Sequence, residues 1–488
     1  MPKRFTGYSH WYHDAALSII NEDGTIEFAS HAERFTKNKN DLIIPKNLWE
    51  YMNESDHLSF YEDSELKQKI RKPLTAGDGI NIYHPPKADH YVGHHISHCA
   101  GAFYTRPWKD KEDTVMVSID GVGEHQTAVI LDHNFKIIKE WHYPKSVGLV
   151  YTDCTRALGL KPLEDEYVVM GLSSYGEPDP DIVNTLKNWY DSKPDINSDL
   201  DAGFFLDAND SQYLKQRGQM RGYLNRLGKL EDEHANIAAS VQAFTEYAIM
   251  DIMKEARKHG KKLCYSGGCA QNVVINSRLP ELFDEVHIAV SPTDAGSSLG
   301  CAAHSWSQHT GKDQLIWTPY LGYNIDREVN PKEVVDHLLE HKVCGLANGR
   351  AEFGPRALGN RSLIADVRYD VKDTVNTIKR RQKYRPFAPA ILEEYADQYF
   401  EGPMNEYMQY TSKALHDYKS VTHVDGTARV QIVKKDCQSV FRKVIEEYYE
   451  RTGVPMLLNT SLNIRGRPMV NDEHDARLWE QQYKVKVF

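Results

Sequence analysis

The sequence contains few cysteines and no long apolar run, and both absences exclude classes of protein. The seven cysteines in 488 residues are scattered and odd in number, and no two have Cys-x-x-Cys spacing. Neither a disulfide framework nor a zinc ribbon is therefore predicted. No apolar stretch approaches the roughly 20 residues of a membrane-spanning helix, and residues 1–10 are too polar for a signal peptide. We expect a reduced, cytoplasmic protein with no membrane partner.

An excess of positive charge is also absent. The net charge is -10 and the isoelectric point is near 6.1, a balance that argues against nucleic acid as a partner. One basic cluster near residue 380 is the exception. The length exceeds what one hydrophobic core supports, so we expect more than one domain.

Glycine-rich turns between short strands predict an α/β fold. The expected strands cover residues 3–8, 15–20, 25–30, 114–119 and 127–131. Asn21-Glu22-Asp23-Gly24 and Asp120-Gly121-Val122-Gly123 then form hairpin tips. Two hairpins tipped with aspartate and glycine, each opening a lobe, are typical of the actin-like superfamily, whose turns approach phosphates through backbone N–H groups. No internal repeat is visible in the sequence.

The pattern of apolar and polar residues in the middle of the chain predicts where the domains divide. Apolar residues recur at helical spacing over residues 234–258, which predicts a long amphipathic helix. The polar stretch 177–233 is interpreted as an insertion in one lobe. Segment 303–345 has no sustained periodicity, so the domain boundary is placed there, with domains over residues 1–340 and 341–488.

His94 and His98 are four residues apart in a predicted helix, so their side chains share one face and can bind one cation. Imidazoles suit iron, zinc and other transition metals. Asp120 and Asp294 are the carboxylates expected to complete such a site. The alternative is an ordinary packed or surface pair, since 22 histidines make chance pairs common.

Two glycine-rich segments also point to a nucleotide cleft. In residues 266–272, a glycine pair between a strand and a helix lets the backbone approach a phosphate or a nucleobase. Residues 294–300 are interpreted as a similar loop entering a helix. Singly, each segment is an ordinary strand-to-helix turn. Together with the hairpins they favour nucleotide binding, with Gly267, Gly268 and Asn272 as candidate residues.

Cationic side chains concentrate in the C-terminal part. Arg356 and Arg361 lie around a Gly-Pro turn in residues 352–362, and residues 379–385 add lysines and arginines. This density in an acidic chain predicts anionic ligands, because guanidinium forks match phosphate oxygens. Residues 459–463 offer hydroxyl and amide groups at a strand end, where α/β sheets commonly bind ligands. The alternative is a salt-bridged or nucleic-acid-binding surface patch.

Several segments match one known family in order. They are residues 8–15, 33–35, 94–100, 119–121, 169–176, 352–362, 385–389 and 458–461. These segments resemble the NodU/CmcH-type carbamoyltransferases over almost the whole chain, and Glu352-Phe353-Gly354-Pro355-Arg356-Ala357-Leu358-Gly359 is the most specific block. The sequence departs from the family at Ser173-Ser174 and Gln382, and it ends at Phe488 where the family continues.

The resemblance implies an actin-like, two-lobed N-terminal domain, similar to the tRNA threonylcarbamoyltransferase subunit, followed by a smaller YrdC-like α/β domain. The implied reaction has two steps. ATP, with Mg²⁺, and carbamoyl phosphate form carbamoyl adenylate in the YrdC-like domain, with release of pyrophosphate and phosphate. The actin-like domain then transfers the carbamoyl group to a hydroxyl or amine of a small-molecule or nucleoside acceptor.

The resemblance also assigns roles to residues. A divalent metal, implied to be iron, positions and polarises the adenylate and is held by His94, His98, Asp120 and Asp294. The pocket for ATP and carbamoyl phosphate contains Lys379, Arg381, Ser461 and Asn463, with Arg356 as a further anion-binding candidate. His13 is interpreted as the general base for the acceptor, because its neutral form at pH 7 suits that task.

Three other functions are open to the same sequence. tRNA threonylcarbamoyl transfer is disfavoured by the acidic balance and by the fusion of both domains in one chain. Hydrogenase maturation is disfavoured because its fusions carry Cys-x-x-Cys fingers and an acylphosphatase domain. A non-catalytic nucleotide-binding or chaperone-like module is disfavoured because the histidine pair and the basic cluster would have no function in it. The sequence specifies neither the acceptor, nor the metal, nor the oligomeric state.

Overall fold

A computed structural model describes residues 2–11, 13–52, 54–67, 87–191 and 212–488. Tyr12 of the first matching segment and residues 192–211 of the interpreted insertion lie outside this description. The chain divides into two compact units. The first unit is Met1–Ser9, Ala16–Ile26 and Met52–Trp317, and the second is His10–Ala15, Glu27–Tyr51 and Thr318–Phe488.

The observed strands include the five predicted over residues 3–131, each to within one residue at either end. They are β1 (Arg4–Ser9), β2 (Ala16–Asn21), β3 (Ile26–His31), β4 (His57–Phe60), β5 (His90–Tyr91), β6 (Thr114–Ile119), β7 (Gln126–Asp132), β8 (Ile137–His142), β9 (Lys262–Ser266), β10 (Glu285–Ile288), β11 (Tyr320–Ile325), β12 (Val343–Ala347), β13 (Gly349–Glu352), β14 (Arg361–Ala365), β15 (Ala388–Leu392), β16 (Phe400–Glu401), β17 (Ser412–Ala414), β18 (Thr427–Ala428), β19 (Gln431–Val433) and β20 (Met456–Ser461).

The helices include the long amphipathic helix predicted from residue 234. They are α1 (Glu33–Thr36), α2 (Lys46–Trp49), α3 (His94–Phe103), α4 (Val147–Ala157), α5 (Glu166–Ser173), α6 (Pro180–Asp191), α7 (Gln212–Leu227), α8 (His234–Arg257), α9 (Val273–Asn276), α10 (Asp294–Thr310), α11 (Pro331–His341), α12 (Lys372–Ile378), α13 (Ala396–Tyr399), α14 (Phe441–Thr452) and α15 (Glu473–Tyr483). Within the described ranges, none of them is both long and apolar enough to cross a membrane.

Two sheets of the first part of the chain have the same strand order. One runs β3-β2-β1-β4-β5, and the other runs β8-β7-β6-β9-β10. In chain order, the first strand of each sheet (β1 or β6) pairs antiparallel with the second (β2 or β7) and parallel with the fourth (β4 or β9). The fourth strand pairs parallel with the fifth (β5 or β10). This repetition, which the sequence did not reveal, agrees with the two lobes that the resemblance implies.

The repetition changes how the two predicted hairpins relate. The connection at residues 120–125 joins β6 to β7, so its counterpart is the connection at residues 10–15 between β1 and β2. The Asn21–Gly24 turn instead corresponds to the β7–β8 turn. That turn packs against α10, since the Trp306 indole Nε1 donates to the Glu22 carbonyl at 3.2 Å and a Cβ on Gly24 would lie 2.8 Å from the same ring. The first hairpin is therefore explained by packing.

The second unit has a five-stranded sheet of order β12-β14-β20-β15-β19 with a core on each face. Along β14, Leu363 and Ala365 belong to one buried cluster and Ile364 to the other, as the two-residue period of a strand requires. The last residues of the chain also pair with this sheet. Phe488 N donates to the Gly345 carbonyl at 3.0 Å, and Ala347 N donates to the Phe488 carbonyl at 2.8 Å.

Helices α3 and α10 pack with their main chains in contact, and this corrects one prediction. Residues 294–300 were interpreted as a loop, but Asp294 begins α10. A Cβ on Gly300 would lie 1.7 Å from the Ser97 carbonyl oxygen of α3, and one on Gly296 would lie 1.6 Å from the Ser291 carbonyl oxygen. Gly300 therefore allows α10 to pack closely on α3, and Gly296 allows α10 to pack on the loop that precedes it.

Replacement of Gly300 by alanine tests this packing. We expect Gly300→Ala to lower the free energy of unfolding by about 2 kcal/mol or more, because the new methyl group forces backbone atoms apart. Gly171→Ala is the matched control: it lies in α5 with nothing within 4 Å of the new Cβ. The control should raise stability by up to about 1 kcal/mol through helix propensity. Urea unfolding followed by circular dichroism measures both, and equal stability of the two variants would contradict the close contact.

Candidate functional site

His94, His98, Asp120 and Asp294 form one cluster in the first unit. Their ligand atoms all lie within 4.8 Å of one another. His98 Nε2 is central, at 3.0 Å from Asp120 Oδ2, 3.3 Å from Asp294 Oδ1 and 3.2 Å from His94 Nε2. His94 Nε2 lies 3.8 Å from the same oxygen of each aspartate. The structure thus brings together all four residues of the predicted set.

Secondary structure explains why these side chains converge. His94 and His98 occupy successive turns of α3, Asp120 directly follows β6, and Asp294 is the first residue of α10. The glycine contact between α3 and α10 sets the distance between the histidines and Asp294. Glu124 accepts from His94 N at 2.9 Å and from Asp63 N at 2.8 Å, which fixes the start of α3.

Further hydrogen bonds orient the donors. Ser297 Oγ lies 3.1 Å from His98 Nδ1, and Gly268 N donates to Asp120 Oδ2 at 3.0 Å. Such outer contacts select the ring nitrogen that faces a ligand. His95, between the two clustered histidines, faces elsewhere: its Nδ1 lies 2.8 Å from Ser118 Oγ and its Nε2 lies 3.1 Å from the Gln126 carbonyl oxygen.

The electrostatics of the cluster favour a cation. Burial opposes a charged His98, but the carboxylates of Asp120 and Asp294 outweigh it and raise the pKa of His98 to about 9. The two histidines in turn overcome the effect of burial and hold the pKa of Asp120 well below its usual range. One buried and one half-buried carboxylate, together with two imidazole nitrogens, fit a divalent transition metal, and they are donors that iron, manganese or zinc accept.

The glycine pair at 267–268 lies against the same cluster. Gly267 has a φ of 91°, and a Cβ there would lie 2.3 Å from the Ile119 carbonyl oxygen. Asn272 exchanges two amide hydrogen bonds with Gln242, at 3.0 and 3.2 Å, and its Oδ1 caps α9. Within the structure, Gly267 thus packs closely against β6, and Asn272 bonds to α8. Their predicted contact with a nucleotide stays a prediction.

Lys379 forms the centre of a second cluster, in the second unit. It is 4% exposed, and its Nζ donates to Asn463 Oδ1 at 2.9 Å and to Ser461 Oγ at 3.2 Å. It also donates to the Asn463 carbonyl at 3.1 Å and to that of Ser461. Burial, Arg381 and Arg385 lower the pKa of this ammonium. Three of the predicted pocket residues, Lys379, Ser461 and Asn463, are therefore in direct contact.

Arginines surround this position. Arg381 stacks 4.0 Å over the Phe387 ring, and its Nε donates to Asn376 Oδ1 at 2.6 Å. Arg429 was missed by the sequence analysis. Burial, followed by the charges of Arg356, Arg381 and Arg385, lowers the pKa of Arg429, and its buried Nε has no hydrogen-bond partner among the described residues. Three guanidinium groups around the unsatisfied donor of a fourth suit an anionic ligand.

Arg361, the second arginine of the 352–362 block, has a different role from the one predicted. It is fully buried and donates to the backbone carbonyls of Asn348, Gly349, Asn360, Tyr323 and Asn471. Glu352 Oε1 accepts from three backbone N–H groups of the same block, at 2.7, 2.8 and 3.2 Å. Glu352 and Arg361 therefore hold the loop in shape, which leaves Arg356 as the arginine of this block near the cationic cluster.

His13 lies in the connection between β1 and β2 that groups with the second unit. Its Nδ1 is 3.5 Å from Asp14 Oδ2. Burial opposes ionisation of Asp14, but the hydrogen bond and charge of His13 lower its pKa. A carboxylate beside the imidazole orients the ring, as a general base requires. The role of His13 as a base stays a prediction.

Most of the chain matches one family in two consecutive parts. Residues 60–303 match the family described as Carbamoyltransferase N-terminus, and residues 335–488 match Carbamoyltransferase C-terminus. An uncharacterized protein of Methanocaldococcus jannaschii is 30% identical to this chain over 95% of it and 94% of that protein. The chain belongs to the carbamoyltransferase family, and it is a transferase enzyme. This confirms the resemblance and sets aside the non-catalytic alternative.

Two nodulation proteins are also similar to this chain. Nodulation protein NolO of Bradyrhizobium diazoefficiens is 31% identical over 79% of this chain and 75% of that protein. Nodulation protein NolNO of Sinorhizobium fredii is 28% identical over 95% of this chain and 76% of that protein. The similarity thus extends through both units.

Proposed function

We propose that this protein is an ATP-dependent carbamoyltransferase that works in two steps. The second unit, as a YrdC-like domain, forms carbamoyl adenylate from ATP and carbamoyl phosphate. The first unit, as an actin-like domain, transfers the carbamoyl group to a hydroxyl or amine of a small-molecule or nucleoside acceptor. The observation that carries the proposal is the presence of two separate, chemically different clusters: two histidines with two aspartates, and one lysine with four arginines.

The lysine–arginine cluster supports the activation step. Lys379 is held by Ser461 and Asn463, and the nearby arginines supply a field for phosphate oxygens. To form carbamoyl adenylate, a carbamate oxygen attacks the α-phosphorus of ATP and pyrophosphate leaves. The carbamate comes from carbamoyl phosphate by addition of one water, which releases phosphate. Positive charge at fixed positions stabilises the developing negative charge on both leaving groups.

The histidine–aspartate cluster supports the transfer step. A divalent cation held by His94, His98, Asp120 and Asp294 would supply Lewis acidity to oxygens of the adenylate. Ser297 and Gly268 keep His98 and Asp120 oriented for that ligand. His13 would take the proton from the acceptor, and AMP would leave as the new carbamoyl bond forms. Iron is the metal that the family resemblance implies.

Pyrophosphate release without any acceptor tests the activation step. The purified protein is incubated with Mg²⁺ and ATP, with and without carbamoyl phosphate. We expect pyrophosphate release only when carbamoyl phosphate is present, because it supplies the carbamate that attacks the α-phosphorus. Inorganic phosphate measured in the same samples should appear in equal amount.

Two outcomes would contradict the proposal. Equal pyrophosphate release without carbamoyl phosphate would indicate an ATP pyrophosphohydrolase. Release of phosphate alone from ATP would indicate an ordinary ATPase. Bicarbonate in place of carbamoyl phosphate serves as the control for a small anionic co-substrate.

A further inference from the structure

His125, Glu140 and His142 form a second group of metal-binding side chains in the first unit. His125 precedes β7, while Glu140 and His142 lie on the paired strand β8. Gln126, which follows His125, pairs with His142 in the ladder. Each of the three residues offers one ligand atom, and these atoms lie within 4.8 Å of one another. The group shares no residue with the cluster around His98.

Packing and hydrogen bonds hold the three side chains of this group in positions suited to bind a metal ion. His142 Nε2 lies 3.3 Å from Glu140 Oε1, with the two side chains only 4% and 9% exposed. The His125 and His142 rings stack with their centroids 5.0 Å apart and an angle of 22° between their planes. Gln126 Nε2 donates to Glu140 Oε2 at 2.7 Å, which leaves Oε1 directed toward His142. A carboxylate fixed in this way is typical of a ligand with an outer hydrogen bond.

The charges of the group also suit a cation. Burial, together with the neighbouring His142, lowers the pKa of His125, so its ring nitrogens are neutral at pH 7. Burial opposes ionisation of Glu140, but hydrogen bonds from His142 and Gln126 lower its pKa and keep it ionised. Neutral imidazole and ionised carboxylate are the forms that bind metal.

We propose that His125, Glu140 and His142 bind a second divalent transition-metal ion of the zinc type. Two imidazoles and one carboxylate are a donor set that zinc accepts, with the fourth position left to water or another ligand. The ion would join the end of β8 to the start of β7. The connection from Asp120 to His125 would then be bound at both ends, by the first cluster and by the second.

Gln126 connects the two groups through hydrogen bonds. Its side chain holds Glu140, while its backbone carbonyl lies 3.1 Å from His95 Nε2, in the turn of α3 between His94 and His98. An ion at the second site would fix the loop that carries Asp120, without contacting the residues of the first cluster. The ion would therefore position that loop.

Zinc stoichiometry tests the proposal. The full-length protein, stripped of metal by chelation, is titrated with Zn²⁺ alone, and bound zinc is measured after gel filtration. We expect two equivalents for the wild type and one for His98→Ala. His142→Ala and the near-isosteric Glu140→Gln, whose new amide oxygen can still accept from Gln126, should each lose the second equivalent or bind it more than about tenfold more weakly. His98→Ala/His142→Ala should bind none.

His259→Ala is the matched control. His259 Nε2 lies 3.6 Å from Glu255 Oε1 on the surface, a histidine–glutamate pair that has no third ligand in the described residues. This variant should keep both equivalents. Circular dichroism confirms that each variant is folded, and Glu140→Gln decides the matter if His142→Ala is not. Zinc binding by a folded Glu140→Gln that equals that of the wild type would overturn the proposal and leave the group as a packed hydrogen-bonded cluster.

Discussion

Replacement of His98 by alanine is expected to abolish carbamoyl transfer while carbamoyl-phosphate-dependent release of pyrophosphate continues at the wild-type rate. His98 Nε2 is within 3.3 Å of both aspartates and of His94, so its loss removes the central donor of the first cluster. Loss of a Lewis acid worth several kcal/mol in the transition state lowers the transfer rate by about a thousandfold. The proposed activation pocket around Lys379 shares no residue with this cluster, so pyrophosphate release should not change.

The measurement uses radiolabelled carbamoyl phosphate and a panel of aminoglycosides, sugars and nucleosides as acceptors. The acceptor that the wild type uses best then serves for the variants. His95→Gln is the matched control, because His95 lies in the same turn of α3 but contacts Ser118 and Gln126. Full transfer by His98→Ala after removal of metal would show that the cluster has no part in the second step.

Replacement of Lys379 by alanine is expected to stop the first step. Its ammonium is the buried cation between Ser461, Asn463 and the arginines, and removal of one preorganised charge of this kind costs about 10²–10³-fold in rate. Pyrophosphate release with ATP and carbamoyl phosphate should fall by that factor. Lys379→Met, which keeps the apolar stem, should be equally inactive, and this separates loss of charge from loss of packing.

Lys383→Ala serves as the control for this prediction. Lys383 is four residues further on, its side chain is 74% exposed, and its Nζ lies 3.7 Å from Asp373 on the surface. Pyrophosphate release by this variant should equal that of the wild type. Normal release by Lys379→Ala would mean that the activation pocket lies elsewhere in the protein.

The first cluster was predictable because its signal is local. Histidines four residues apart on a helix share a face, and the structure places both in α3. Aspartates at the end of a buried strand and near a glycine-rich segment were natural partners. The pocket around Lys379 was accessible to prediction through the density of cationic residues and the family motif.

The remaining features depend on tertiary structure. Glycine lowers helix propensity, so residues 294–300 resembled a loop, but contact with α3 overrides that preference. Arg361 and Arg356 are indistinguishable in sequence, and only the backbone carbonyls around Arg361 separate their roles. Arg429 lies in no motif. The repeated strand order has no counterpart in residue identities, because many sequences satisfy one pattern of buried and exposed positions.

The contact between α3 and α10 has a consequence for the choice of ion. With Gly300 against the Ser97 carbonyl, the two helices pack at main-chain distance, and His98 Nε2 lies 3.3 Å from Asp294 Oδ1. Close-packed interiors resist expansion. Zinc-like ions bind nitrogen and oxygen at about 2.0–2.2 Å, whereas calcium needs more ligands at about 2.3–2.6 Å. A pair of helices in main-chain contact therefore selects against large ions by ionic radius, independently of the charge of the ligands.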